Sequence, residues 1–197
     1  YNNTAIMNAT PDKDVNTIAI IGAGPVGMLL SLELARHKCI KVILIEREKD
    51  TTIFPKMEVV NSRTLEFLKR IDNGMLLQKI RETGNSVTDK FVKKFYTPSA
   101  KWELGSWVWN SVAEQQKISK FENNGTKSPE PYCRISQYLM EPILMERCLQ
   151  DPYIAVTRGE EFIDYVEHDT HVVLNLRNIA SSKARTINTK YLVGCDG

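Results

Sequence analysis

The sequence predicts an α/β fold in which helices cover a parallel sheet and an antiparallel β element follows. Three observations carry that prediction. Residues 18–21 (Ile-Ala-Ile-Ile) and 41–45 (Lys-Val-Ile-Leu-Ile) are short and rich in β-branched apolar residues, as strands buried on both faces are. Between them Met28, Leu29, Leu32, Leu34 and Ala35 form an apolar stripe at helical spacing. The first strand enters that helix through Gly22-Ala23-Gly24-Pro25-Val26-Gly27, a G-x-G-x-x-G run.

Each position of the run has a physical reason. Gly22 permits a tight turn, Gly24 leaves bare backbone where a pyrophosphate can approach, and Gly27 lets the helix pack against the strand. Pro25 suits the first helical position, where its missing N–H costs nothing. With Val26 it opens a helix N-terminus, which offers unpaired N–H groups and the positive end of the dipole. His37 and Lys38 stand near the other end, where positive charge suits the dipole. Glu46 ends the second strand, about 20 residues beyond Gly27 and in reach of a ribose diol. A carboxylate there repels a 2′-phosphate, so the adenosine is that of FAD or NAD rather than NADP. Strand, glycine run, helix and spaced acid together specify a dinucleotide site; the glycine run alone would not.

Composition narrows the class. At 197 residues the chain suits one domain, read as a flexible polar tail over 1–16 and a nucleotide-binding domain over 17–197. A formal net charge of +2, without a basic stripe interleaved with aromatics, argues against a nucleic-acid partner. No apolar run is long enough to span a bilayer, and residues 1–14 carry no secretory signal. Cys39, Cys133, Cys148 and Cys195 are scattered with no C-x-x-C pair and read as reduced thiols of a cytoplasmic protein. His37, His168 and His171 fall at a helix end and a strand turn, so neither a metal cluster nor a catalytic triad is expected.

Beyond Glu46 no second βαβ unit follows promptly. Phe54-Pro55-Lys56 marks a loop, and Asn61-Ser62 caps a helix carrying Leu65, Leu68 and Ile71, which Asn73-Gly74 stops. Residues 86–101 alternate loosely, as strand does, and edge-strand packing accounts better for Trp102, Trp107 and Trp109 than a stacking surface for an aromatic ligand. Residues 114–131 read as a polar loop. Residues 134–149 read as a helix capped by Ser136, with Leu139, Ile143, Leu144 and Cys148 inward and Pro142 kinking it or delaying its start. Residues 154–176 read as two or three antiparallel strands, 181–185 as a polar linker, and 191–194 as another buried strand before Cys195-Asp196-Gly197.

Four blocks in this order resemble the FAD-dependent aromatic hydroxylases, the group A flavoprotein monooxygenases of the para-hydroxybenzoate hydroxylase fold, and within them the phenol and chlorophenol hydroxylases. They are Gly22 to Gly27 with Glu46-Arg47; Pro55-Lys56-Met57 leading to Asn61-Ser62-Arg63-Thr64-Leu65-Glu66; Ser128-Pro129-Glu130-Pro131 with Arg134-Ile135-Ser136-Gln137 and Leu139-Met140-Glu141-Pro142-Ile143-Leu144; and Tyr191-Leu192-Val193-Gly194-Cys195-Asp196-Gly197. The resemblance implies a Rossmann-like FAD-binding domain, truncated relative to the family, whose substrate domain and C-terminal remainder lie outside this sequence. It implies that Gly22, Gly24, Pro25, Val26, Gly27, Glu46 and Arg47 hold the adenosine and pyrophosphate of FAD. It further implies that Lys56, Arg134 and Gln137 face the flavin side and that Asp196-Gly197 is the aspartate–glycine motif tied to FAD and pyridine nucleotide. Lys56 stands where arginine is commoner, keeping the charge but losing a two-pronged donor.

The activity so implied is hydroxylation of a small phenol-like substrate through a flavin C4a-hydroperoxide, with NAD(P)H as reductant. No protein nucleophile or metal is required, and no catalytic residue is assigned. The piece is expected to be inactive alone and to expose apolar surface that could form a homo-oligomer. Two other readings stay open: an NAD-dependent dehydrogenase, which Glu46 permits and the missing second βαβ unit opposes, and a degenerate fragment acting only through protein contacts.

Overall fold

The computed structural model describes residues 16–197 apart from Pro55, Val87 and Asn123. The expected tail falls outside them except for Asn16, which opens the first strand. In chain order the elements are β1 (Asn16–Ile21), α1 (Pro25–Ala35), β2 (Ile40–Glu46), β3 (Val59–Val60), α2 (Ser62–Ile71) and α3 (Met75–Thr83). There follow β4 (Phe91–Tyr96), β5 (Glu103–Trp109), α4 (Val112–Phe121), β6 (Cys133–Arg134) and α5 (Gln137–Gln150). The chain closes with β7 (Ile154–Arg158), β8 (Glu160–Glu167), β9 (Val172–Asn178), β10 (Ala184–Thr189) and β11 (Tyr191–Gly194). The described residues form two compact units, one drawn from residues 16–54 and 137–197, the other from residues 56–136.

In the first unit a parallel sheet runs in the order β11-β1-β2-β7. Successive residues of a strand face opposite sides, so a strand covered on both sides must be apolar throughout. Ala19, Ile21 and Ile45 face Leu174 and Leu176 of the antiparallel sheet β8-β9-β10, with Phe162, Val172 and Ile187 packed around them. The alternate residues Ile20 and Leu44 are fully buried with them in the core. Helix α1 packs against β1, β2, β7 and α5, and the Cys148 thiol of α5 reaches the Met28 carbonyl oxygen of α1 at 3.7 Å.

The parallel strand β7 corrects the expectation that 154–176 is antiparallel throughout. A short apolar run does not encode its partner's direction, and only β8 and β9 form the antiparallel pair, with a bulge between Phe162 and Asp164. Strand β7 and the preceding α5 supply a second crossover, after the chain has first built the other unit. Ala184 and Arg185, the last residues of the expected linker 181–185, instead open β10, which extends the antiparallel sheet. Strand β11 lies at the sheet's edge rather than buried: Tyr191 and Gly194 are exposed because β11 is paired on one side only among the described residues.

In the second unit Asn61 caps α2, its Oδ1 accepting from the Thr64 N–H at 2.9 Å. Leu65, Leu68 and Ile71 of α2 are buried, as are Leu76, Leu77 and Ile80 of α3. Residues 114–131 are not all loop: α4 occupies their first part behind a Ser111–Glu114 capping box. Arg134 lies in β6, pairing with Val59, so the helix expected from 134 begins at Gln137; Leu139 is half-buried, while Ile143, Leu144 and Cys148 face inward. Pro142 sits inside that helix. Hairpin β4–β5 carries the tryptophans, and edge packing accounts for one of them: Trp109 meets Tyr132 edge-on at 5.1 Å, while Trp107 stays two-thirds exposed.

Candidate functional site

The turn between β1 and α1 is built by glycines doing three different jobs. Gly22 adopts φ +97°, a left-handed conformation, and its N–H donates to the Ile45 carbonyl oxygen at 2.8 Å. A Cβ on Gly22 would stand 2.7 Å from the Cys195 carbonyl oxygen, so the turn sits directly on the chain leaving β11. A Cβ on Gly27 would stand 1.9 Å from the Gly22 carbonyl oxygen, so only glycine lets α1 begin this close to the turn. Around Gly24 the reverse holds: a Cβ would meet nothing within 4 Å, and the backbone there is open.

Gly24 is the N-cap of α1, Pro25 follows it, and no side chain caps the helix. The helix carries no acidic residue in its first turn. The N–H groups of Val26 and Gly27 lack an intrahelical partner by the geometry of a helix start, and the dipole adds positive potential. Open backbone over such a helix end is a place for a phosphate. The cradle fits a diphosphate.

Glu46 ends β2 beside this turn. Its Oε2 accepts from the Ala23 N–H at 2.8 Å and its Oε1 from the Glu48 N–H at 2.9 Å. The carboxylate is therefore held against the turn by two backbone donors. Each oxygen retains a second lone pair, which a sugar hydroxyl can approach. Arg47 next to it is exposed and pairs with Glu48 at 3.2 Å.

The end of β11 completes the wall. The Cys195 N–H donates to the Ile21 carbonyl oxygen at 2.7 Å, which places Asp196 and Gly197 just past the glycine turn. Burial, and then the Asp196 carboxylate, push the Cys195 thiol above its ordinary value, keeping it neutral there. Gln137, the first residue of α5, is buried and donates through Nε2 to Glu141 Oε1 at 2.7 Å.

The structure thus gathers Gly22, Gly24, Pro25, Val26, Gly27, Glu46 and Asp196 around one turn. Lys56 and Arg134 belong to the other unit, where Lys56 is exposed and Arg134 is half-buried with its NH2 3.4 Å from Glu58 Oε2. Sequence reasoning missed Glu141, a carboxylate with only 4% of its surface exposed. The spacing Gln137–Glu141, one helical turn, was the available signal. No cluster able to hold a metal ion occurs among the described residues, and none of their helices is long and apolar enough to cross a membrane.

Comparison with known proteins agrees with this geometry. The FAD binding domain family matches residues 14–197. An FAD-dependent monooxygenase of Emericella nidulans, apdD, is 26% identical over 190 residues, 95% of this chain and 30% of its own length. The 2,4-dichlorophenol 6-monooxygenase of Delftia acidovorans is 25% identical over 97% of this chain and 31% of its own. For the phenol 2-monooxygenase of Pseudomonas sp. (strain EST1001) the identity is 26%, over 91% of this chain and 28% of its own. The chain therefore spans roughly a third of the length of these relatives. Among solved structures, the flavin-dependent monooxygenase PieE in complex with FAD and substrate superposes with a TM-score of 0.74 at 22% identity, covering 95% of this chain and 31% of that one. The glycine turn with its spaced carboxylate and the match over all the described residues lead to one conclusion: the chain belongs to the FAD-binding domain family.

Proposed function

We propose that this chain is the FAD-binding portion of an NAD(P)H-dependent monooxygenase that hydroxylates a small, phenol-like aromatic substrate. The observation that carries the reading is the open backbone at Gly24 beside a carboxylate, Glu46, held against the same turn. In this reading the amides at the start of α1 take the pyrophosphate and Glu46 takes the adenosine ribose. Asp196 and Gly197 border the same turn and contribute to holding the cofactor. Arg47 is assigned with Glu46 to the adenosine end; Lys56, Arg134 and Gln137 are assigned to the flavin end, where positive charge and amide hydrogen bonds orient the ring. When bound, FAD supplies the redox and oxygen-activating chemistry; the chain's own residues bind it, orient it and keep water from it.

The aromatic substrate class is supported by the names of the relatives, two of which are chlorophenol and phenol monooxygenases. The four cysteines are unpaired thiols, which supports a reducing, cytoplasmic setting. Exposed apolar residues on β4, β5 and β11 support self-association.

The test is a calorimetric FAD titration of the intact protein and its Gly24→Ala variant. A methyl at Gly24 meets no protein atom within 4 Å, so folding stability should be unchanged while FAD binds at least about tenfold more weakly. Equal affinity in the two proteins would remove the cradle from the cofactor site. Oxidation of reduced nicotinamide that phenols fail to stimulate would remove the substrate class.

A further inference from the structure

The α5 carboxylate that sequence reading missed stands among Met140, Ile143, Leu144 and Met145, all buried, in a place where packing alone would favour an apolar residue. Its two oxygens have different partners. Oε1 accepts from Gln137 Nε2 at 2.7 Å, and Oε2 accepts from the Thr52 backbone N–H at 2.9 Å across 89 residues of sequence. Thr52 in turn ties its loop: its Oγ1 donates to the Phe54 carbonyl oxygen at 3.0 Å and accepts from the Phe54 N–H at 3.2 Å.

Both partners are donors, and only a carboxylate accepts at both ends. A glutamine here would turn an N–H toward one of the two donors, and a leucine would leave both unanswered. The carboxylate also decides the orientation of the Gln137 amide. With Nε2 held toward Glu141, Oε1 points away from it.

We propose that Glu141 is a positioning residue of the cofactor site: fixed by the Thr52 N–H at one oxygen, it sets the amide of Gln137 with the other, so that Gln137 meets the cofactor in one orientation only. The proposal rests on the reading of this chain as an FAD site, and the test separates the two. FAD titrations and bound-flavin visible spectra are recorded for the intact wild-type protein, Glu141→Gln, Gln137→Ala and the double variant, with melting curves as the control for folding.

The expected result is about tenfold weaker FAD binding and a shifted visible band in Glu141→Gln, with the double variant binding no more weakly than Gln137→Ala alone. A merely structural carboxylate would lower the melting temperature, leave the flavin band in place and give additive losses; that pattern overturns the proposal. Should Glu141→Gln fail to fold, Glu141→Asp carries the same test, since it stays an acceptor and only withdraws by one methylene. A wild-type protein that takes up no FAD overturns the functional reading and this proposal with it. A wild-type that binds FAD beside a Glu141→Gln variant of equal affinity and spectrum overturns this proposal alone.

Discussion

Two strand pairs in this chain are about equally apolar and meet opposite fates. In β1–β2 the residues Ala19, Ile20 and Leu44 have no exposed surface. In β4–β5 the residues Leu104 and Trp107 are 69% and 66% exposed, and Val92, Phe95, Tyr96 and Val108 are exposed as well. The difference lies in what each pair is given to pack on. Strand β1 has a hydrogen-bonded neighbour on each edge, and the β8-β9-β10 sheet lies against one face of its sheet while α1 packs against the strands too. Among the described residues the hairpin has one pairing and an apolar surface of its own, and an isolated two-stranded ribbon is only marginally stable. Apolar content shows that a strand can be buried; crossovers and neighbours decide whether it is.

Truncating one large side chain in each pair tests this most sharply. Leu44→Ala should cost about 4 kcal/mol, from lost transfer energy and a cavity in a central strand. Trp107→Ala, despite removing the larger side chain, should change stability by less than about 0.5 kcal/mol. Urea melts of the two variants decide. A large loss on Trp107→Ala would mean that the hairpin face is covered in solution and would break the contrast.

Glycines sharpen the comparison at the level of backbone. Gly22→Ala meets two penalties at once, a positive φ and a contact at 2.7 Å with the Cys195 carbonyl oxygen. Together they should cost about 3 kcal/mol. Gly105→Ala in β5 meets nothing within 4 Å and should be neutral to within about 0.5 kcal/mol. If thermal melts ranked the two alike, the turn would have slack that its geometry denies.

These contrasts show why sequence reading succeeded where it did. The turn Gly22 to Gly27, its carboxylate Glu46 and the Asn61 cap are set by residues within a few positions of the backbone they shape, or by one strand-to-strand spacing. Their chemistry is local and leaves a pattern. The direction of β7 was not legible, because a parallel and an antiparallel strand of its length share the same composition. The edge position of β11 was not legible either, since a strand's second neighbour is not written in the strand. Within the site, the bond from Thr52 to Glu141 joins residues 89 positions apart, and nothing in either segment announces the other.

Helix α4 is a different kind of miss, because its start signal was present. Only Val112 of its residues is buried, so it lacks the apolar stripe by which helices are usually read. What defines it is its first turn. The Ser111 Oγ accepts from the Glu114 N–H at 3.2 Å, and Glu114 Oε2 accepts from the Ser111 N–H at 2.9 Å, while Lys90 stands 3.0 Å from the other carboxylate oxygen. A helix held by its cap rather than its face should respond to cap chemistry. Ser111→Ala should lower stability by about 1 kcal/mol, less than Leu44→Ala or Gly22→Ala. The hydrogen bond to Lys90, then those to the Ser111 N–H and hydroxyl, hold the Glu114 carboxyl below its ordinary 4.5. A lowered folded value means that the ionised form stabilises the fold above pH 4.5 and that this contribution disappears as the pH falls through the folded value. Denaturation of wild type and Ser111→Ala, at neutral pH and then on acidification below 4.5, should therefore show a gap that narrows as the carboxylate is neutralised. A gap that stays constant would leave the whole effect to the hydroxyl's bond with the Glu114 N–H, which does not titrate; no gap at either pH would place the stability of α4 in packing, on the same side of the comparison as β1 and β2.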